Sequence, residues 1–107
     1  MIQKHYTVDF SNVKYIMQLH EVLYESLSFP DYYGGNMDAL WDCLKDMLPE
    51  ASYIEIQGFE NLKKHLGDYA DKVISIFREV KNEHHGKYRD NFLIVLIHQD
   101  GSKEELT

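Results

Sequence analysis

The sequence predicts an α/β domain in which a small three-stranded parallel sheet packs with about four helices. Three short apolar segments have the alternation or continuity of strands, and between them apolar residues recur at helical spacing. The last segment, FLIVLI at residues 92–97, is continuously apolar, as in a strand of a parallel sheet that is covered on both faces. The resulting order β-α-α-β-α-α-β spans residues 1–107 as a single domain, because two domains of half this length would each be too small to bury a core.

The N-terminal third predicts one strand followed by one helix. Apolar and polar residues alternate over residues 6–10, which favours a short strand. We expect a helix over residues 13–27, with Ser11 or Asn12 as its cap. Its apolar positions lie one helical turn apart and are Ile16, Leu19, Leu23 and Leu27.

The segment SFPDYYGGN, residues 28–36, is predicted to be a loop that leads into a second helix. Pro30 disfavours a helical conformation at the preceding residue, and the glycine pair that begins at Gly34 permits positive φ angles. Asn36 is a good N-cap for a helix over residues 37–48. The apolar stripe of this helix comprises Met37, Leu40, Trp41, Leu44 and Leu48.

The rest of the sequence predicts a strand, two helices and a final strand, in that order. A strand over residues 53–56 is followed by a short helix at 59–66 and a longer helix at 68–83. Residues 84–91 read as a polar loop before the last strand at 92–97. The inner face of the longer helix is expected to contain Tyr69, Val73, Ile76, Phe77 and Val80.

Composition limits the kinds of partner and location. The formal net charge of −7 disfavours binding to nucleic acid or anionic membranes and favours a basic partner, in a way that added salt would weaken. A single cysteine, Cys43, suits a reducing compartment. No apolar stretch approaches the roughly 18 residues of a membrane helix, and the N-terminus lacks a secretory pattern. We therefore expect a cytoplasmic protein without membrane association.

An acidic helix face beside an aromatic loop is the main candidate for function. Asp38, Asp42 and Asp46 are spaced i, i+4, i+8, although like charges at this spacing cost a helix about 0.2–0.5 kcal/mol per pair. The face could be an ordinary solvated surface or a surface for a cationic partner. Tyr32 and Tyr33 precede it, and tyrosines supply rigid contact area at binding hot spots. Together they place negative charge beside flat rings, as a nucleic acid does.

The run FPDYYGGNMDALWDCL, residues 29–44, resembles the signature of the barstar family of intracellular inhibitors of the ribonuclease barnase. The shared elements are Pro30, Tyr32, Tyr33, Gly34, Asn36 and the segment 38–44. Leu19-His20 and Phe77-Arg78-Glu79 also resemble barstar segments.

The resemblance implies a barstar-like fold and an inhibitor, not an enzyme, that needs no cofactor or metal. In such proteins the second helix and its preceding loop enter the active site of a basic ribonuclease. Tyr32 would pack on the catalytic groups, Asp38 and Asp42 would pair with cations that bind substrate phosphate, and Glu79 would form a peripheral salt bridge. The protein is expected to be a monomer when free. The expected partner-binding residues are Tyr32, Tyr33, Gly34, Asn36, Asp38, Trp41, Asp42, Lys45, Asp46 and Glu79.

Other readings remain open at this stage. Lys45 stands where the best-known family member has a small neutral residue, which allows a different basic nuclease or toxin domain as the target. Catalysis by paired carboxylates is possible in principle, but no second catalytic group stands near them. A weak metal site of His84, His85 and His98 lacks recognised ligand spacing. His20 reads best as a hydrogen-bonded packing histidine.

Overall fold

The computed structural model describes residues 3–50 and 52–107, without the side chain of His84. The strands are β1 (Lys4–Asp9), β2 (Ser52–Gln57), β3 (Phe92–Ile97) and β4 (Lys103–Glu105). The four longer helices are α1 (Ile16–Ser26), α2 (Met37–Met47), α3 (Phe59–Leu66) and α4 (Asp68–Lys81). A one-turn helix, α5 (Glu83–Gly86), and a 3-10 turn (Arg89–Asn91) lead into β3.

The sheet has the order β1-β2-β3-β4, and its first three strands are parallel. The α/β class and the parallel core are confirmed, but the expectation of three strands is wrong, because β4 pairs antiparallel with β3. The chain reverses through Gly101, whose φ is +87°, and the His98 N–H donates to the Ser102 carbonyl at 2.8 Å. The three-residue sequence KEE of β4 has no apolar alternation, so nothing in the pattern signalled a strand.

The core lies on one side of the sheet. Phe92, Ile94 and Leu96 of β3 are buried, whereas the alternate residues Leu93 and Val95 are only half-buried. The expectation that β3 is covered on both faces is therefore wrong. Both β-α-α-β connections run in the same direction along the sheet, and right-handed crossovers then place all their helices on the same face.

Helix α1 begins at Ile16, three residues later than predicted, and neither Ser11 nor Asn12 caps it. The Asn61 side-chain amide donates to the carbonyls of Phe10 and Val13, at 2.8 and 2.9 Å, and holds this segment out of the helix. Ile16, which was expected in the core stripe, lies in the first turn of the helix and is 45% exposed.

The end of α4 also differs from the prediction. The helix ends at Lys81, two residues earlier than the predicted end at residue 83. Residues 84–91 were predicted to be a loop, but they contain most of α5 and the 3-10 turn. Positive φ angles at His85 (+57°) and Gly86 (+76°) end α5 before the 3-10 turn begins.

Candidate partner-binding surface

The loop between α1 and α2 is anchored by Tyr33. Its ring lies 4.8 Å from that of Phe29 and stacks on that of Tyr24, with centroids 6.5 Å apart and an angle of 20° between the planes. The Tyr33 N–H donates to the Pro30 carbonyl at 2.9 Å, which closes a turn. These contacts fix the loop in one conformation beside α2.

The buried imidazole of His20 supports Tyr33 from the α1 side. Its Nδ1 lies 2.6 Å from the Tyr33 hydroxyl, and its Nε2 lies 2.7 Å from the Tyr69 hydroxyl of α4. Burial lowers the pKa of His20, which favours the neutral ring, so one nitrogen donates and the other accepts. Burial also raises the pKa of the Tyr33 hydroxyl. The prediction of a hydrogen-bonded packing histidine is confirmed, while the role of the Tyr69 hydroxyl had no signal in the sequence.

Tyr32 points away from the core. Its side chain is 78% exposed and lines a shallow groove with Asp46 and Met47 of α2, whereas Tyr33 lines a different groove beside α1. The two adjacent tyrosines thus divide their roles: one ring fixes the loop, and the other is offered to solvent at the edge of α2.

Helix α2 presents its carboxylates outward. Asn36 caps the helix as predicted, since its side-chain oxygen accepts from the Ala39 N–H at 2.8 Å. Asp38, Asp42 and Asp46 are all exposed, while the opposite face buries a different set of side chains. The buried residues of this helix are Leu40, Cys43 and Leu44. Gly34 and Asn36 are exposed at the start of the same surface.

A cleft between α2 and α4 adds a fourth carboxylate. Asp38, Trp41 and Glu79 line it together with Ile76, so Glu79 lies beside the acidic helix face. Trp41 is half-buried and therefore contributes both to packing and to the surface. The structure thus brings Asp38 and Glu79 to one cleft, on the other side of α2 from the groove that contains Tyr32 and Asp46.

Lys45 is held at the edge of this surface. Its Nζ lies 5.7 Å above the Trp41 ring and 3.8 Å from a carboxylate oxygen of Glu83 in α5. This contact was not predicted, because residue 83 was assigned to the end of the preceding helix. The lysine charge is therefore partly balanced within the chain.

The described part of the chain offers neither a metal site nor a membrane-spanning helix. Among the residues at 3–50 and 52–107, no group of three or more His, Cys, Asp or Glu side chains could hold a metal ion. The His84 side chain lies outside the described residues, and both ring nitrogens of His98 already contact carboxylates, of Glu60 at 2.6 Å and Glu104 at 3.0 Å. No helix among the described residues has the length and apolarity needed to cross a membrane.

Comparisons with known proteins show which family the chain resembles. The family model "Barstar (barnase inhibitor)" matches residues 3–97, which include every residue of the candidate surface. The chain is also similar to the protein named "Putative ribonuclease inhibitor YrdF" of Bacillus subtilis (strain 168). The two are 39% identical over 88 residues, which cover 82% of this chain and 89% of the relative.

Proposed function

Because the chain belongs to the barstar family, we propose that it inhibits a basic ribonuclease in the cytoplasm by covering the enzyme's active site with α2 and the preceding loop. In this proposal it acts as a binding protein and not as an enzyme. The residues that carry the interface are those that the sequence indicated: Tyr32, Tyr33, Gly34, Asn36, Asp38, Trp41, Asp42, Lys45, Asp46 and Glu79.

The observation that carries the proposal is the juxtaposition of an exposed ring with exposed carboxylates on one rigid frame. Tyr32 is 78% exposed beside α2, and the aspartates of α2 face solvent. A ribonuclease active site holds cations for phosphate and flat surfaces for bases, so this arrangement occupies it as a polynucleotide would. Arginine and lysine in a site dried by the complex gain strongly from a carboxylate partner.

The frame is organised before binding. Asn36 fixes the start of α2, and Tyr33 ties the loop to Phe29 and His20. A preorganised surface binds more tightly because less conformational entropy is lost in the complex. The net charge of −7 further accelerates encounter with a cationic enzyme.

The test compares inhibition of a barnase-type basic ribonuclease by the wild-type chain and single variants. We expect Asp42→Ala to weaken inhibition far more than Asp46→Ala, because Asp42 occupies the middle of the carboxylate row. Glu105→Ala on the far edge of the sheet removes the same charge and serves as the control. Equal inhibition constants for the wild type and Asp42→Ala would refute the assigned interface.

A second measurement follows association by stopped flow as salt is added. The rate constant should fall steeply between low and physiological ionic strength, because steering by exposed charges is screened. A rate that does not change with salt would contradict an electrostatically guided complex.

One observation favours a second candidate target. Lys45 places a cation at the edge of the acidic surface, held against Trp41. A different basic nuclease or toxin domain with an acidic group opposite Lys45 would fit this surface better than an enzyme with only cations there. Tighter binding of such a protein than of a barnase-type ribonuclease would identify it as the target.

A further inference from the structure

A second groove lies on the α1 side of the tyrosine loop, outside the acidic face of α2. It is open and has a volume of about 520 Å³. One end is apolar, one wall is aromatic and a carboxylate stands among them. The residues that define these features are Ile16, Met17, Glu21, Tyr24 and Tyr33, with His20 also in the lining.

The apolar end of the groove is unusually open to water. Met17 is 74% exposed and Ile16 is 45% exposed, on the first turn of α1. Ile16 has the spacing of a core position, yet it is not among the buried residues of α1. Adjacent exposed apolar side chains beside a polar rim are typical of an interaction site.

The aromatic wall is rigid. The rings of Tyr24 and Tyr33 stack on each other, the Tyr24 hydroxyl donates to Asp31 at 2.7 Å, and the Tyr33 hydroxyl contacts His20 at 2.6 Å. Glu21 is exposed and lines the same groove. Its carboxylate is thus available to a ligand at the aromatic wall.

We propose that this groove binds an arginine side chain of the ribonuclease that α2 inhibits, so the interface extends from the acidic helix across the tyrosine loop onto α1. The apolar stem of the arginine lies along Met17 and Ile16, and its guanidinium lies at the tyrosine wall and pairs with Glu21. Arginine fits this combination better than lysine, because its planar cation stacks on rings and bonds carboxylates through two donors. This inference rests on the proposed function.

Continuity identifies the occupant as the same partner. Tyr33 lines this groove, and its neighbour in sequence, Tyr32, is part of the proposed interface. Gly34 also lines the groove and belongs to the same proposed interface, so a protein that covers the tyrosine loop meets one side of the groove directly. Its basic character supplies the cation that Glu21 requires.

The experiment measures dissociation of the complex with a barnase-type basic ribonuclease. Met17→Ala and Glu21→Gln should each raise the dissociation rate about tenfold, which is the loss expected for a buried hot-spot contact. Tyr15→Ala is the control. Tyr15 directly precedes Ile16 in the sequence and is 65% exposed, but it does not line the groove. It should change the rate by less than about twofold.

The outcomes separate this inference from the proposed function. If the wild type inhibits the enzyme and Asp42→Ala does not, while both groove variants match Tyr15→Ala, the groove proposal is wrong and the proposed function stands. If the wild type neither binds nor inhibits the ribonuclease, the proposed function is wrong and the groove proposal is overturned with it.

A photo-crosslinking amino acid in place of Met17 supplies a second, independent readout. In the complex it should label a ribonuclease peptide that contains an arginine on the enzyme's surface. Labelling of a second copy of this chain, or of no protein at all, would overturn the assignment. Circular dichroism of the substituted chain verifies that its fold is unchanged.

Discussion

The Nδ1 atom of His20 lies 2.6 Å from the hydroxyl of Tyr33, and this contact joins α1 to the loop that precedes the acidic helix. The other ring nitrogen contacts the Tyr69 hydroxyl, so one imidazole connects α1, the loop and α4. The position of the proposed binding loop therefore depends on a chain of hydrogen bonds in the interior.

Loss of the Tyr33 hydroxyl should destabilise the protein measurably. Tyr33→Phe leaves one nitrogen of a buried histidine unpaired, which costs about 1–3 kcal/mol of unfolding free energy. The control is Tyr24→Phe, because its hydroxyl bonds the exposed Asp31 and water can replace it. Urea unfolding followed by circular dichroism measures both variants, and equal losses for the two would contradict a structural role for the His20 contact.

The stability of the wild type should fall in mild acid because of His20. Burial holds the folded-state pKa of His20 below its ordinary value of 6.5, so the unfolded chain binds the proton more readily. The stabilisation by neutral His20 is complete above pH 6.5 and is lost as the pH falls below it. Urea midpoints measured from about pH 7.5 to about pH 5 should show the loss. His20→Gln should flatten this part of the profile, and an unchanged profile would refute the assignment.

His98 should stabilise the protein in mild acid and lose this effect as the pH rises, which is opposite to His20. Hydrogen bonds to Glu60 and Glu104 raise its pKa in the folded state. Its stabilising effect is therefore complete below the unfolded-state pKa of 6.5 and disappears as the pH rises through the folded-state value. His98→Gln should destabilise the protein more at about pH 5.5 than at about pH 8.5. The control is His65→Gln, which removes an exposed histidine. A smaller pH dependence of its unfolding free energy would separate the effect of the His98–carboxylate contacts from a general effect of charge.

Much of the fold could be predicted because local patterns and tertiary packing agree. The apolar stripe of α2 has the helical period, and the continuous apolar run of β3 is typical of a strand in a parallel sheet. The start of α1 could not be predicted, because Asn61, some fifty positions away, binds the carbonyls of Phe10 and Val13. The short β4 forms only because β3 offers it an open edge.

The candidate site divides in the same way. The exposure of Asp42 followed from helical spacing on a capped helix, which is local information. The half-buried position of Tyr33 did not, since two adjacent tyrosines have no intrinsic difference. Tertiary contacts, with Phe29, Tyr24 and His20, decide which ring faces inward.

Replacement of Lys45 should affect binding more than folding. Lys45→Thr removes a surface contact to Glu83, and such contacts contribute about 0–1 kcal/mol to stability. The variant is more acidic, so it should associate faster with a basic ribonuclease and inhibit it more strongly. Stopped-flow association beside Lys72→Thr, an exposed lysine of α4, isolates the effect of position. Weaker inhibition by Lys45→Thr would instead show that Lys45 has an acidic partner on the enzyme.

Gly58 should be the least replaceable of the glycines that join elements. It precedes α3 with a φ of +78°, and a Cβ there would lie 2.4 Å from the backbone nitrogen of Ser11 and 2.7 Å from the carbonyl carbon of Phe10. Gly58→Ala combines backbone strain with overlap against main-chain atoms that cannot rotate away. We expect a loss of about 3 kcal/mol or more in unfolding free energy.

Gly101 provides the matched control for this substitution. Its φ is +87°, but a Cβ would meet no atom within 4 Å, so Gly101→Ala adds the backbone strain without the overlap. That strain alone should cost about 1–2 kcal/mol. Thermal and urea unfolding of both variants measure the difference. Equal losses of unfolding free energy would mean that the close approach of the Phe10 and Ser11 backbone to Gly58 adds no cost. Glycine would then be needed at position 58 only for its left-handed backbone.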